Sequence, residues 1–148
     1  MKRISRKMLV VVFAAALALG VTATAQVYKY YSPGTVWTVT TIRVKSGMDQ
    51  AYLGYLDTEF KKESDAQVKA GYMKSYKILR TLDDDSSWNL LILREYKSLA
   101  AMEADTEKSD ALALQTSGND DTQMKGYEDR SKIREVLATK TARELMLK

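Results

Sequence analysis

Four consecutive apolar residues, Leu90-Leu91-Ile92-Leu93, stand inside a short run from Trp88 to Tyr96 that is rich in β-formers and reads as a strand. Side chains of a strand alternate between the two faces of its sheet. A strand apolar at every position therefore asks for cover on both faces, whereas a one-sided antiparallel sheet alternates apolar with polar. The segment Thr35–Val44 (TVWTVTTIRV) makes the same demand, with Trp37 and Val39 on one face and Val36 and Ile42 on the other. Leaving the second face in water exposes an apolar patch beyond the few hundred Å² usual on a monomer. Two such sheets packed face to face remove the conflict, so a homodimer is expected.

The remaining elements follow in order. Gln26–Gly34 (QVYKYYSPG) is an aromatic lead-in ending in a Pro-Gly turn signal. After the first strand, Ser46 stands three residues before Asp49 in a capping-box-like start. Met48, Tyr52, Tyr55, Leu56 and Phe60 then recur at helical spacing, predicting a helix to about Ala70 with Gly71 as its stop. Tyr72–Leu82 and Trp88–Tyr96 read as strands joined by the polar hairpin loop Asp83-Asp84-Asp85-Ser86-Ser87. Ser98 caps a helix from Leu99 to about Lys108, and a broken helical stretch continues to a turn at Ser117-Gly118-Asn119. Residues 121–137 read as helical without a clean apolar stripe, and Thr139–Leu147 as a closing strand. Strand, helix, strand, strand, helices, strand is the βαββαβ order of an α+β, ferredoxin-like antiparallel sheet with helices on one face.

The first 25 residues belong to a different task. Lys2, Arg3, Arg6 and Lys7 precede an apolar run from Met8 to Val21, and Ala23-Thr24-Ala25 supplies a small-x-small cleavage pattern. The run is shorter than the roughly 20 apolar residues of a membrane span. It reads as a signal peptide, cleaved before Gln26, so residues 35–148 form the expected single domain of an exported, periplasmic or extracellular protein with no stable membrane anchor. The chain carries 23 basic and 19 acidic residues, but four of the basic ones lie in the leader, leaving 19 of each sign. A mature chain of zero formal charge offers no electrostatic footprint for nucleic acid.

The sequence contains no cysteine and no histidine. Disulfides, thiol nucleophiles, imidazole acid–base catalysis and His-ligated zinc, copper or haem are thereby excluded. Asp83-Asp84-Asp85 is the one carboxylate run that invites a hard cation, yet three consecutive aspartates cannot all point inward at calcium, and a solvated hairpin tip is expected. No phosphate loop, nucleophile elbow or metal-ligand spacing occurs, so no metal and no cofactor is implied.

An aromatic and arginine inventory remains. Trp37, Tyr76, Trp88, Arg94, Tyr96 and Arg143, with Arg43 and Arg80, match a pocket for a small apolar or aromatic ligand between sheet and helices. The same residue types are enriched at protein interfaces, and both readings stay open. Arg94 is singled out because a charge in a strand apolar on both faces needs a carboxylate, a carbonyl or a ligand anion.

Three stretches carry a family resemblance: Val44-Lys45-Ser46-Gly47 at the first strand–helix junction, Gly71-Tyr72-Met73-Lys74-Ser75-Tyr76, and Arg94-Glu95-Tyr96-Lys97-Ser98 leading into Leu99–Ala104. Over about residues 35–104 the chain resembles the dimeric α/β-barrel superfamily, including its antibiotic-biosynthesis-monooxygenase-like and NIPSNAP-like groups. The resemblance implies a ferredoxin-like subunit that pairs as a dimeric α/β barrel. It also implies, as one activity, cofactor-independent oxygenation or isomerisation of an electron-rich aromatic substrate, chemistry that runs on orientation without His or Cys. Arg94 stands where the monooxygenase-like pattern has Glu, and Tyr96 where it has Trp. Three functions thus stand at this stage: a ligand-binding exported dimer, which is preferred, a cofactor-free oxygenase or isomerase, and an envelope interaction module docking through Tyr28–Tyr31.

Overall fold

The computed structural model describes residues 29–82, 87–104 and 106–148. The leader, Tyr28 and the Asp83–Asp85 run lie outside the described residues. The described residues divide into two compact units, one within residues 34–144 and one that joins residues 29–33 with Leu145–Lys148. In the smaller unit, the Lys148 amide donates to the Tyr30 carbonyl at 3.2 Å, and the Lys29 ammonium lies 5.2 Å from the Tyr30 ring centroid.

The larger unit is built on a four-stranded sheet. Strand β1 is Tyr31–Val44, β2 Ser75–Arg80, β3 Leu90–Tyr96 and β4 Arg134–Leu147, in the spatial order β2-β3-β1-β4. β3 runs antiparallel to both its neighbours, pairing Thr38 with Arg94 and Tyr76 with Arg94 across the two ladders. Between β1 and β2 lie α1 (Asp49–Tyr55), a π-helical turn (Leu56–Phe60) and α2 (Lys61–Ala70). Between β3 and β4 lie α3 (Leu99–Ala104), α4 (Thr106–Ser117) and α5 (Asp120–Ile133). A split βαβ unit on each side of a central β1–β3 pair is the ferredoxin-like α+β fold. No helix among the described residues is long and apolar enough to cross a membrane.

The core forms on one sheet face. Ile42 and Val44 of β1 and Leu90 and Ile92 of β3 are buried against Tyr52, Leu56 and Phe60 of the first helical segment. Tyr52, Leu56, Phe60 and Ser64 are its buried positions, each four residues after the last. An α-helix advances about 100° per residue, so a strict repeat of four drifts about 40° at each step. The wider π turn at Leu56–Phe60 counters that drift and keeps all four side chains toward the sheet.

Local chemistry sets the element ends. Gly71, at φ +79°, closes α2 as expected, with Tyr72 N donating to Gln67 O at 3.1 Å and Gly71 N to Val68 O at 3.0 Å, a Schellman motif. Ser98 caps α3 by accepting from Ala101 N at 3.0 Å, and Asn119 caps α5 by accepting from Thr122 N at 3.0 Å.

Several boundaries differ from the sequence expectation. Ser46 does not cap the first helix: Gly47 at φ +77° closes a turn from Lys45 O to Met48 N, and Met48 takes the N-cap position without a side-chain cap. Pro33-Gly34 does not turn but lies within β1, where Gly34 leaves room for Glu144; a Cβ there would meet its side chain at 2.5 Å. β4 begins at Arg134, five residues early, because α5 ends at Ile133, whose carbonyl accepts from Lys45 N at 3.0 Å beside β1.

Candidate functional site

The sheet register sorts the strand side chains into two sets. Val36, Thr38, Thr40, Ile42 and Val44 share the helix-covered face with Leu90, Ile92, Arg94, Tyr96, Tyr76 and Ile78. Trp37, Val39, Thr41, Leu91, Leu93, Lys77 and Leu79 share the other face. There Trp37, Val39, Leu91 and Leu93 are half-buried and Leu79 is 49% exposed. The two-sided apolar character of β1 and β3 is therefore real, and the second face is apolar.

The six candidate residues do not converge on one place. Trp37 lies on the open face with the Lys77 ammonium 5.8 Å from its ring centroid. Trp88 precedes β3 rather than lying in it, and Arg143 is exposed on β4. Tyr76, Arg94 and Tyr96 share the helix-covered face. Tyr76 meets the Phe60 ring edge-on at 5.5 Å and donates its hydroxyl to Asp65 Oδ1 at 2.8 Å. Burial and that carboxylate raise its pKa above the usual phenol value. The Arg94 guanidinium lies 5.2 Å from the Phe60 ring centroid. Tyr96 lines a small cavity of about 120 Å³ with Gln67, Tyr72 and Met102. Arg43 and Arg80 are committed elsewhere, Arg43 to Ser87 O and Glu135, Arg80 to Asp49.

A second group, which the sequence reading did not single out, gathers on the helix side. Tyr52 and Tyr55 stack with centroids 5.8 Å apart and planes at 22°. The Arg134 guanidinium lies 5.4 Å from the Tyr52 centroid. The Arg130 guanidinium sits 4.7 Å from the Tyr55 centroid and 4.6 Å from that of Tyr127. Tyr127, Arg130, Tyr55, Tyr52 and Arg134 thus form one ladder of three rings and two cations at the junction of α1, α5 and the start of β4.

Two features set this ladder apart. Tyr52 Oη, Arg130 Nε and Arg134 Nε are buried and make no hydrogen bond to any described residue. Stacking on a ring uses the face of a guanidinium, whereas its N–H groups lie in the plane and still need acceptors. Nor does either arginine, or Arg94, meet a carboxylate at ion-pair distance among the described residues. Burial dominates the Tyr52 hydroxyl and pushes its pKa up to about 12, with Arg134 opposing as the leading cation; burial raises Tyr55 likewise.

Two cavities flank Tyr127. One, of about 330 Å³, is lined by Tyr55, Glu59, Glu63, Gln123, Tyr127 and Arg130 among others. The other, of about 450 Å³, is lined by Lys45, Tyr127, Ser131, Arg134, Glu135 and Val136. Among the described residues no group of three or more His, Cys, Asp or Glu is placed to hold a metal ion.

No protein-family model and no curated protein matches the chain. Solved structures are similar to it in fold. A dimeric ferredoxin-like protein from an uncultured marine organism superposes with a TM-score of 0.50 at 14% identity, covering 79% of this chain and 98% of its own. HapK from Hahella chejuensis gives a TM-score of 0.48 at 13% identity, covering 74% of this chain and 91% of its own. A dimeric protein of ferredoxin-like fold from Bacteroides fragilis gives 0.41 at 12% identity, covering 80% of this chain and 100% of its own.

Proposed function

We propose that the protein is exported and acts as a homodimeric binder of a small apolar or aromatic molecule held on the helix side of the sheet. One observation carries the ligand: two buried donors, Arg130 Nε and Arg134 Nε, have no hydrogen-bond partner among the described residues, and their arginines line two cavities that share Tyr127. Buried donors are nearly always satisfied, and each orphan costs about 1–3 kcal/mol. A protein that keeps two of them on cavity-lining arginines regains part of that energy when a ligand brings acceptors. Ring faces with a few convergent polar groups are also the composition of small-molecule sites.

The dimer rests on the open face. Trp37, Val39, Leu91, Leu93 and Leu79 form one apolar surface, and a second copy of the same surface is the simplest cover for it. The marine protein of the same fold is itself dimeric, which supports the same assembly here. Export rests on the charged start, apolar run and Ala23-Thr24-Ala25 of the leader.

The test is native mass spectrometry of protein purified from the exported fraction, followed by melting with quinones, flavonoids and fatty acids. A dimer beginning at Gln26 that melts higher with a member of the panel is expected. A monomer sinks the interface, and a melting temperature unmoved by every member sinks the ligand.

A further inference from the structure

The two cavities beside Tyr127 differ in charge, and the difference selects between them. The 330 Å³ cavity is lined by three carboxylates, Glu59, Glu63 and Asp129, against Lys125 and Arg130. Arg130 is already stacked between two rings, and Asp129 is paired with Lys132 at 2.7 Å. In the 450 Å³ cavity the charged lining groups are Lys45, Arg134 and Glu135. Glu135 is engaged by the Arg43 guanidinium at 3.2 Å. Lys45 Nζ donates to the neutral Ser131 carbonyl at 3.1 Å and meets no carboxylate at ion-pair distance among the described residues. Arg134 has no carboxylate within ion-pair distance among the described residues, and its Nε is one of the orphaned donors.

We infer that the ligand of this protein is an organic acid whose oxyanion head is held by Arg134 and Lys45, with its apolar or aromatic body against Tyr127 and Val136. The inference rests on the ligand-binding reading above and adds the charge and the place. A planar oxyanion matches the guanidinium fork, and charge-assisted hydrogen bonds are about twice as strong as neutral ones. The ammonium adds a second positive charge beside it. Tyr127, whose ring also meets Arg130, and Val136 of β4 supply the wall on which a flat body rests. The volume, about 450 Å³, is that of a small-molecule site.

The experiment compares matched probes by isothermal titration on the mature protein: 2-naphthoate, 2-naphthalenesulfonate and 2-naphthyl phosphate against the neutral 2-naphthamide. At least one anion is expected to bind tenfold or more tighter than the amide, with affinity falling as salt rises. Arg134→Met should weaken that anion about 10- to 100-fold and leave the amide unchanged. Lys45→Met, at an exposed side chain that folding tolerates, should weaken it in the same direction and carries the test if Arg134→Met fails to fold. Lys140→Met, an exposed cation on β4, should change nothing. If the amide binds as tightly as the anions, or the anions ignore both substitutions, the oxyanion site is wrong while ligand binding stands. If no naphthyl probe binds but a neutral member of the melting panel does, the acid is again refuted; if nothing binds at all, both readings fall together.

Discussion

Replacing Tyr52 by phenylalanine tests whether its buried hydroxyl is unsatisfied or hydrogen-bonded within the fold. Tyr52 is 1% exposed, its ring stacks on Tyr55 at 5.8 Å and under Arg134 at 5.4 Å, and its Oη makes no hydrogen bond to a described residue. Phenylalanine keeps both ring contacts. It removes an orphaned hydroxyl whose burial costs about 1–3 kcal/mol. The hole left is no larger than one water probe, about 10–15 Å³, and at about 24 cal/mol per Å³ it costs about 0.2–0.4 kcal/mol. The variant should therefore be more stable at neutral pH by about 0.6–2.8 kcal/mol, which for a domain of this size raises Tm by at least about 2 °C.

Alkali adds a second reading of the same change. The folded pKa of Tyr52 is raised from 10.0 to about 12. A group raised in the folded state contributes its stability fully below the unfolded pKa and loses it as pH climbs through the folded one. The window is thus pH 10 to 12, and a shift of two units corresponds to about 2–3 kcal/mol lost from the wild type. Phenylalanine has no such proton, so the advantage of Tyr52→Phe should widen across that window. Urea unfolding followed by circular dichroism at pH 7 and at pH 11 measures both quantities. A variant less stable by more than about 1 kcal/mol at pH 7, with a gap that does not grow at pH 11, refutes the reasoning: the hydroxyl would then be hydrogen-bonded in the free protein.

Three further outcomes are expected. Leu93→Glu places a charge at the centre of the open sheet face, and analytical ultracentrifugation should show a monomer that keeps its circular dichroism spectrum; a persistent dimer would put the interface elsewhere. Asn89→Ala deletes a side chain that accepts from Val44 N at 2.8 Å and donates to Val44 O at 3.1 Å, orphaning a buried backbone unit, so denaturant unfolding should show a loss of about 2–3 kcal/mol. Gly71→Val forces a β-branched residue to φ +79°, and the melting temperature should fall by several degrees, with any rise contradicting the left-handed stop.

The fold was legible because its instructions are local. Leu90–Leu93 announce a central strand by composition, and β3 does lie between β1 and β2. Gly71 announces the end of a helix because only glycine takes that backbone shape cheaply. The boundaries that moved are those set by partners distant in sequence. β4 starts early because Ile133 is tied to Lys45, 88 residues away in the chain. Pro33-Gly34 reads as a turn in isolation, yet the approach of Glu144, accepting from Thr35 N at 3.3 Å and Thr35 Oγ1 at 3.1 Å, keeps β1 extended. Trp88 falls outside β3, which opens at Leu90; just before it, Asn89 bonds Ile42 through its backbone and Val44 through its side chain.

The site was less legible, and the reason lies in α5. Residues 121–137 read as a helix lacking an apolar stripe, which counted against them. The missing stripe was the signal. Tyr127 and Arg130 stand three apart on the helix and Arg134 follows it at the start of β4, so the edge of this segment that meets Tyr52 and Tyr55 carries cations and a ring where a core helix carries leucines. Their partners, Tyr52 and Tyr55, read as ordinary helix-face apolar residues because tyrosine serves in cores as readily as in pockets. Strand position was the wrong guide for the arginines: Arg94 does find a ring rather than a carboxylate, but the orphaned donors belong to the helix–strand junction. Arginines whose Nε atoms are buried against tyrosine rings, with no carboxylate at ion-pair distance among the described residues, cost free energy in the unliganded protein, and an acid entering from the Lys45 side offsets that cost at Arg134.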